Sequence, residues 1–172
     1  MKKYLAIAET DPEAVRHIAR LYFYGAGVNK DLEQAYKWYI KCAEKGVPDC
    51  QNQAGFMLAK GTGVAKNTSQ ALLWFTKAAE QGDATAQYAA GMVNFQGDGI
   101  AEDLKKSAYL FEMAANNDHV RSQYCIGYMY LKGLGVTQNK TTAIAWLNKA
   151  AKNGDKEAIQ LLEAIQKESD TN

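Results

Sequence analysis

Proline and histidine are nearly missing from this 172-residue chain, with two of each. Scarce proline leaves long stretches free to be helical, because its ring and absent N–H break helix interiors. Scarce histidine removes the commonest general base and a frequent metal ligand. His17 and His119 stand far apart and read as ordinary surface side chains. No cluster of His, Cys and carboxylates has zinc-ligand spacing, so no metal site is expected. Three cysteines are too few for the dense disulfide framework of a small secreted domain. Neither charge prevails, since 20 Lys and Arg meet 19 Asp and Glu for a net +1. That balance lacks the basic footprint of a nucleic-acid or anionic-membrane binder. No apolar run nears the roughly 20 residues that span a bilayer, so no membrane insertion is expected. Residues 1–8 open like a leader, yet the apolar stretch stops at Glu9. A signal core needs about 7–15 apolar residues, and the expectation is a cytoplasmic protein.

Catalytic signatures are missing too. There is no G-x-x-x-x-G-K-[ST] phosphate loop and no G-x-S-x-G elbow. Ser69, Ser107, Ser122 and Ser169 form no S-x-x-K motif. The Gly-x-Gly pairs have a one-residue gap and no preceding strand, unlike a dinucleotide site. The reading is a non-enzyme with no catalytic residue and no cofactor.

What the chain does have is periodicity. Gly25, Gly61, Gly97 and Gly133 are each 36 residues apart, and Gly27, Gly63, Gly99 and Gly135 keep the same step. So do Ala43, Ala79, Ala115 and Ala151, and the set Tyr39, Phe75, Phe111 and Leu147. Four units follow, at residues 11–46, 47–82, 83–118 and 119–154, with ten residues before and 18 after. The expectation is one repeat domain over residues 1–172.

Each unit reads as two helices. In the first, Ala14, Ile18, Leu21 and Tyr22 share one helical face. Asp11 followed by Pro12 is an N-cap with proline at the first helical position. The second helix carries Ala35, Trp38, Tyr39, Cys42 and Ala43 at helical spacing, and Asp31, Asn67, Asp103 and Asn139 cap its four copies. Gly46, Gly82 and Gly154 close it in left-handed conformation. Gly55, Gly91 and Gly127 fall inside first helices, where glycine costs about 1 kcal/mol against alanine. A neighbouring large ring that needs the space explains the repetition, with Trp38, Trp74 and Trp146 expected to supply it. Residues 1–10 are in register with the end of a second helix and read as a helical stub. Residues 155–168 are in register with a first helix, with Glu163 and Gln166 at otherwise buried columns, as a solenoid cap requires. Residues 169–172 are left as a tail.

Ser122, Ile126-Gly127, Tyr130, Gly133-Leu134-Gly135-Val136, Asn139, Ala143, Trp146-Leu147, Ala150-Ala151 and Gly154 together resemble the Sel1-like repeat pattern. The resemblance covers about nine tenths of the chain. Tetratricopeptide repeats, with a period of about 34, are relatives. The resemblance implies an all-α protein, a right-handed α/α solenoid of four 36-residue helix-turn-helix repeats with a C-terminal capping helix. It also implies first helices along a concave surface, and an adaptor that holds other proteins and does no chemistry. Cys42 and Cys50 occupy columns filled elsewhere by Ala78/Ala86, Ala114/Ser122 and Ala150/Ala158. Their spacing resembles the disulfide pairs of secreted, cysteine-rich family members. In a cytoplasmic chain they read as two buried thiols, and an oxidised pair would overturn that location. Cys125 has no partner column.

The third unit departs from the pattern at Asn94, Ser107, Leu110 and Asp118. Two readings stand: a drifted repeat with a softer core, or a unit remodelled for a partner. Tyr109 and Met113 replace outer lysines such as Lys37 and Lys41 there and form a candidate second patch. The main candidate surface comes from first-helix columns that vary between units. One column holds Arg16, Asn52, Tyr88 and Tyr124, and the other holds Arg20, Phe56, Met92 and Tyr128. Aromatic, Met and Arg side chains carry most interface energy. The expected function is a protein-binding module using this concave face, acting as a monomer or weak homodimer. One use is an immunity protein that neutralises a secreted bacterial toxin or effector. The alternative is a regulatory or assembly scaffold in a bacterial signalling or envelope complex.

Overall fold

The structure is a computed structural model that describes Tyr4, Ala8 and residues 11–170. Apart from those two positions, the expected stub over residues 1–10 lies outside the described residues. Nine helices and no strand are present among the described residues. Four of them open the repeats: α1 (Pro12–Tyr24), α3 (Pro48–Lys60), α5 (Ala84–Gln96) and α7 (Val120–Lys132). Four complete the pairs: α2 (Leu32–Glu44), α4 (Thr68–Glu80), α6 (Leu104–Asn116) and α8 (Lys140–Lys152). The last, α9 (Lys156–Asp170), runs two residues beyond the end expected for the capping helix, and Glu163 and Gln166 are exposed on it.

The cap residues act as their chemistry dictates. Asp31, Asn67, Asp103 and Asn139 each accept from the backbone N–H three residues on, at 3.0, 2.9, 2.9 and 3.0 Å. Asp11 accepts from Glu13 N at 2.9 Å, with Pro12 opening α1. Each such cap is worth about 1 kcal/mol. His119, in the N-cap column of Asp11 and Asp83, caps α7, its Nδ1 accepting from Ser122 N at 3.3 Å, and is half-buried rather than a plain surface side chain. His17 is half-buried as well, its ring 4.0 Å from that of Tyr4.

The chain packs as two compact units. The first holds α1 to α4, the opening turn of α5 through Ala86, and residues 98–100; the second holds the remainder. In the first unit the core gathers Val15, Ile18, Ala35, Tyr39, Ala54 and Met57. Gln51 is buried there. Its Nε2 donates to the Ala43 carbonyl at 3.2 Å, and its Oε1 accepts from Gln81 Nε2 at 2.8 Å. A Cβ on Gly63 would collide with the Leu32 carbonyl, so glycine there serves close approach as well as a positive φ of 71°.

The second unit repeats these devices. Phe111, Ile126 and Met129 form one buried cluster; Leu147, Ala150, Ala158 and Ile165 form another. Gln123 Nε2 donates to the Ala115 carbonyl at 3.3 Å and its Oε1 accepts from Asn153 Nδ2 at 3.3 Å; Asn117 Nδ2 donates to Gln87 Oε1 at 3.1 Å. Buried amides need such partners, since an unpaired one costs about 1–3 kcal/mol.

Two expectations are corrected. The helix glycines make room for the residue that follows the tryptophan column: Phe75 after Trp74, Phe111 after Leu110 and Leu147 after Trp146. A Cβ on Gly55 would stand 2.6 Å from the Phe75 ring, one on Gly91 2.7 Å from Phe111, and one on Gly127 2.9 Å from Leu147. Trp38, Trp74 and Trp146 sit one residue earlier, about 100° round the helix, and are only half-buried. Lys41, Lys77 and Lys149 place their ammonium groups 4.4, 4.4 and 4.3 Å from those ring centroids. The indole thus presents its face to a cation at the surface.

Cys42 and Cys50 are joined in a disulfide, against the expected pair of thiols. The helix approach that admits two small residues in the other repeats brings their Cα atoms to 5.7 Å. That lies within the ~4.4–6.8 Å range a disulfide spans. Both cysteines are fully buried.

The third repeat keeps its core satisfied despite its polar substitutions. Asn94 Nδ2 donates to the Ala90 carbonyl at 2.8 Å, and Ser107 Oγ donates to the Gly91 carbonyl at 2.9 Å. Leu110 and Met113 replace the tryptophan and its covering lysine together. Asp118 holds the closing position at φ 58°, the one non-glycine residue with positive φ among the described residues.

Candidate protein-binding cleft

Helices α5 and α7 leave an open cleft of about 220 Å³ in the second unit. Tyr88, Met92 and Phe95 come from α5, and Tyr124, Cys125 and Tyr128 from α7. Phe111 and the fully buried Met129 also line it. The spacings of four and three on each helix put these side chains on one face. Glycine at position 91 lets Phe111 press against α5, and Tyr88 leans on Phe111 with ring centroids 5.8 Å apart. The other neighbour of the Tyr88 ring is His119, at 4.8 Å. Tyr124 and Tyr128 stack at 6.4 Å and 27°.

Arg121 also lines the cleft and supplies its cation. Its guanidinium lies 4.7 Å from the Tyr124 ring centroid and pairs with Asp155 Oδ2 at 3.4 Å and Glu157 Oε1 at 3.0 Å. Asp155 is buried and also caps α9, its Oδ1 accepting from Ala158 N at 2.9 Å. Burial pushes the Cys125 thiol up to about 12 and raises Tyr88 and Tyr124 above the usual phenol range. The cleft therefore presents neutral hydroxyls and a protonated thiol at physiological pH. A thiol so held is a poor nucleophile.

Four of the eight residues expected on the concave face thus meet in one place: Tyr88, Met92, Tyr124 and Tyr128. The other four lie in the first unit. Phe56 lines a shallow hollow with Phe23, Gln53 and Lys60, its ring edge-on to Phe75 at 5.1 Å. Arg16 pairs with Glu13 and, at 3.2 Å, with Asp49. Arg20 is exposed beside Arg16 and His17. Asn52 is corrected from a contact residue to a buried one, 8% exposed, with its Oδ1 unpaired. Its neighbours on α3 face the core, which takes the amide in with them. Of the second patch, Tyr109 is 62% exposed and Met113 half-buried, both on α6.

Phe95 and Cys125 line the cleft without having been singled out for it. In the 36-residue register, position 95 corresponds to Phe23, Ala59 and Leu131, apolar in every unit, and that is the signal that would have found it. The first unit also carries a wider groove of about 480 Å³ beside Tyr36, Trp38, Ile40 and Trp74. Lysines cover its two indole faces, and Lys37, Glu44 and Gln70 also line it, so charged and polar groups interrupt its apolar wall. Among the described residues no group of three His, Cys, Asp or Glu could hold a metal ion, and no helix is long and apolar enough to cross a membrane.

The sequence matches the Sel1 repeat family four times, at residues 12–47, 48–83, 84–119 and 120–155. A Sel1 repeat protein from Oxalobacter formigenes is 33% identical, with a TM-score of 0.85 over 95% of this chain and 67% of that one. The protein c5321, a protective antigen present in uropathogenic Escherichia coli strains, is 35% identical with the same TM-score, over 89% of this chain and 33% of its own. This chain therefore spans about a third of the length of c5321. The cysteine rich protein B of Helicobacter pylori, 23% identical over 80% of this chain and 98% of its own, shares the fold with a TM-score of 0.61. No curated protein matches the sequence. With four matches over residues 12–155 and relatives above 30% identity, the chain belongs to the Sel1 repeat family.

Proposed function

We propose that this chain is a non-enzymatic protein-binding module whose partner buries part of itself in the cleft between α5 and α7. Sel1 repeat proteins generally mediate protein–protein interactions, and their scaffold is typically non-enzymatic. The observation that carries the reading is the convergence of Tyr88, Met92, Tyr124 and Tyr128 around one open, mostly apolar cleft. Aromatic residues and Met are the types enriched at interface centres. The protonated Cys125 and neutral tyrosines suit contact rather than chemistry.

The finer reading is an inhibitor: an immunity protein that occludes a secreted toxin, which needs one good surface. A scaffold is the alternative, because Tyr109 on α6 offers a separate exposed aromatic for a second partner. The compartment follows the disulfide. Cytosolic thiols stay reduced, so the Cys42–Cys50 bridge favours an oxidising compartment over the cytoplasm expected from residues 1–8.

The test is affinity capture from the native host with mass spectrometry, followed by titration of the purified partner. A Met92→Glu/Tyr128→Glu double variant, verified as helical by circular dichroism, runs beside wild type. A partner held by wild type and weakened at least a hundredfold by the variant supports the cleft. Equal affinity for both contradicts it. If the partner is toxic to cells and co-expression restores growth, the inhibitor reading stands; a harmless partner favours the scaffold.

A further inference from the structure

The size of the cleft limits what enters it. Small-molecule pockets run to roughly 300–1,000 Å³, and this one offers about 220 Å³. That suits a single bulky side chain. Its lining of tyrosines, phenylalanines and methionines favours an aromatic or aliphatic one.

The charge around the cleft limits what stands beside that side chain. The charged groups acting on Tyr88, Tyr124 and Cys125 are Arg121, Asp155 and Glu157. One cation thus meets two carboxylates, and the set is net negative by one. Arg121 is already committed to both partners and to the Tyr124 face. Asp155 is out of a partner's reach, its side chain 6% exposed, with Oδ1 on the α9 cap and Oδ2 on Arg121. Glu157 differs: its side chain is 52% exposed and reaches Arg121 through Oε1. A carboxylate has room for about four hydrogen bonds, so Glu157 keeps accepting capacity toward solvent.

We infer that the cleft takes a partner segment that inserts one large apolar side chain and carries a Lys or Arg within reach of Glu157. An acidic flank would meet a like charge whose only cation is already paired, which costs specificity for such partners. This inference rests on the protein-binding reading of the same cleft.

The experiment is selection of a displayed random-peptide library on the intact protein, read by sequencing, in parallel on three variants that keep the wild-type helical spectrum. Wild type enriches peptides with Phe, Trp, Leu or Met next to Lys or Arg. Glu157→Lys retains the apolar anchor and weakens those peptides at least tenfold, with an acidic or neutral flank taking over. Glu157→Gln gives a smaller loss in the same direction. Met92→Glu removes anchor and flank together. If enrichment depends on Met92 while flanks are acidic, neutral or indifferent to Glu157→Lys, the cleft stands and the charge rule falls. If enrichment survives Met92→Glu, or no peptide depends on the cleft, both fall.

Discussion

The Phe75 ring occupies the space where Gly55 would carry a side chain, with Cε1 2.6 Å from an ideal Cβ position on that glycine. The helix gives up intrinsic propensity at Gly55 so that α4 can seat a buried ring against α3. The same trade recurs at Gly91 with Phe111 and, more loosely, at Gly127 with Leu147.

Alanine at these positions gains about 1 kcal/mol of helix propensity and forces an overpacking cost of about 1–3 kcal/mol. Gly55→Ala and Gly91→Ala should therefore lower stability, by up to about 2 kcal/mol net. Gly127→Ala should be the mildest, because Leu147 is a flexible aliphatic neighbour at 2.9 Å rather than a rigid ring. Chemical denaturation of the three single variants tests the order.

Asp118 stands where Gly46, Gly82 and Gly154 hold φ of 86°, 88° and 88°, and adopts a φ of 58° itself. A Cβ in left-handed backbone costs about 1–2 kcal/mol, less for Asp than for most residues. Glycine gives part of that back through its larger unfolded-state entropy. Asp118→Gly should raise stability by about 0.5–1 kcal/mol, seen as a higher melting temperature with the helical content unchanged.

Much of this architecture is legible in the residues, and the failures have physical reasons. Caps and turns are local chemistry, so Asp31, Asn67, Asp103 and Asn139 mark helix starts wherever they recur. Choosing between Trp74 and Phe75 as the ring under Gly55 is harder. Adjacent apolar residues lie about 100° apart on a helix, and hydrophobicity alone ranks both as core. The overlooked signal is the lysine three residues after each tryptophan, which keeps the indole at the surface. Tyr88, Met92, Tyr124 and Tyr128 stand out in the sequence as large apolar residues in columns that vary between units, and they line one cleft. Asn52 shows the opposite case: a polar residue reads as exposed, but α3 turns inward there and buries it. The Cys42–Cys50 bridge depends on helix approach, which residue spacing leaves open.

Burial pushes the Tyr39 hydroxyl up to about 12, with the Tyr24 and Asp49 charges adding to the effect. A raised folded-state value means the neutral form is favoured by folding. That contribution is complete below the unfolded value of about 10 and is lost as pH rises through 12. At about 1.4 kcal/mol per unit, the two units between 10 and about 12 amount to about 3 kcal/mol. Tyr39→Phe, which copies the residue at 75 and 111, should fold normally and flatten the decline of stability between pH 10 and 12. Urea titrations at pH 8, 10 and 11.5 measure the slope.

The disulfide closes a short loop, since Cys42 and Cys50 are eight residues apart. Chain-entropy reasoning assigns such a loop about 2–3 kcal/mol. Cys42→Ala/Cys50→Ala should lose about that much and remain folded, because Ala78/Ala86 fill the same columns. Reductant should lower the wild-type melting temperature and leave the double variant unmoved. Intact mass under non-reducing conditions should read two hydrogens below the fully reduced chain.

Hydrogen exchange of the chain with and without its bound protein partner tests the central claim most directly. Slowed exchange is expected in α5 and α7, concentrated around Tyr88–Phe95 and Arg121–Met129. Protection confined to α2, α4 and α8, with that segment pair unchanged in a saturated complex, would contradict it.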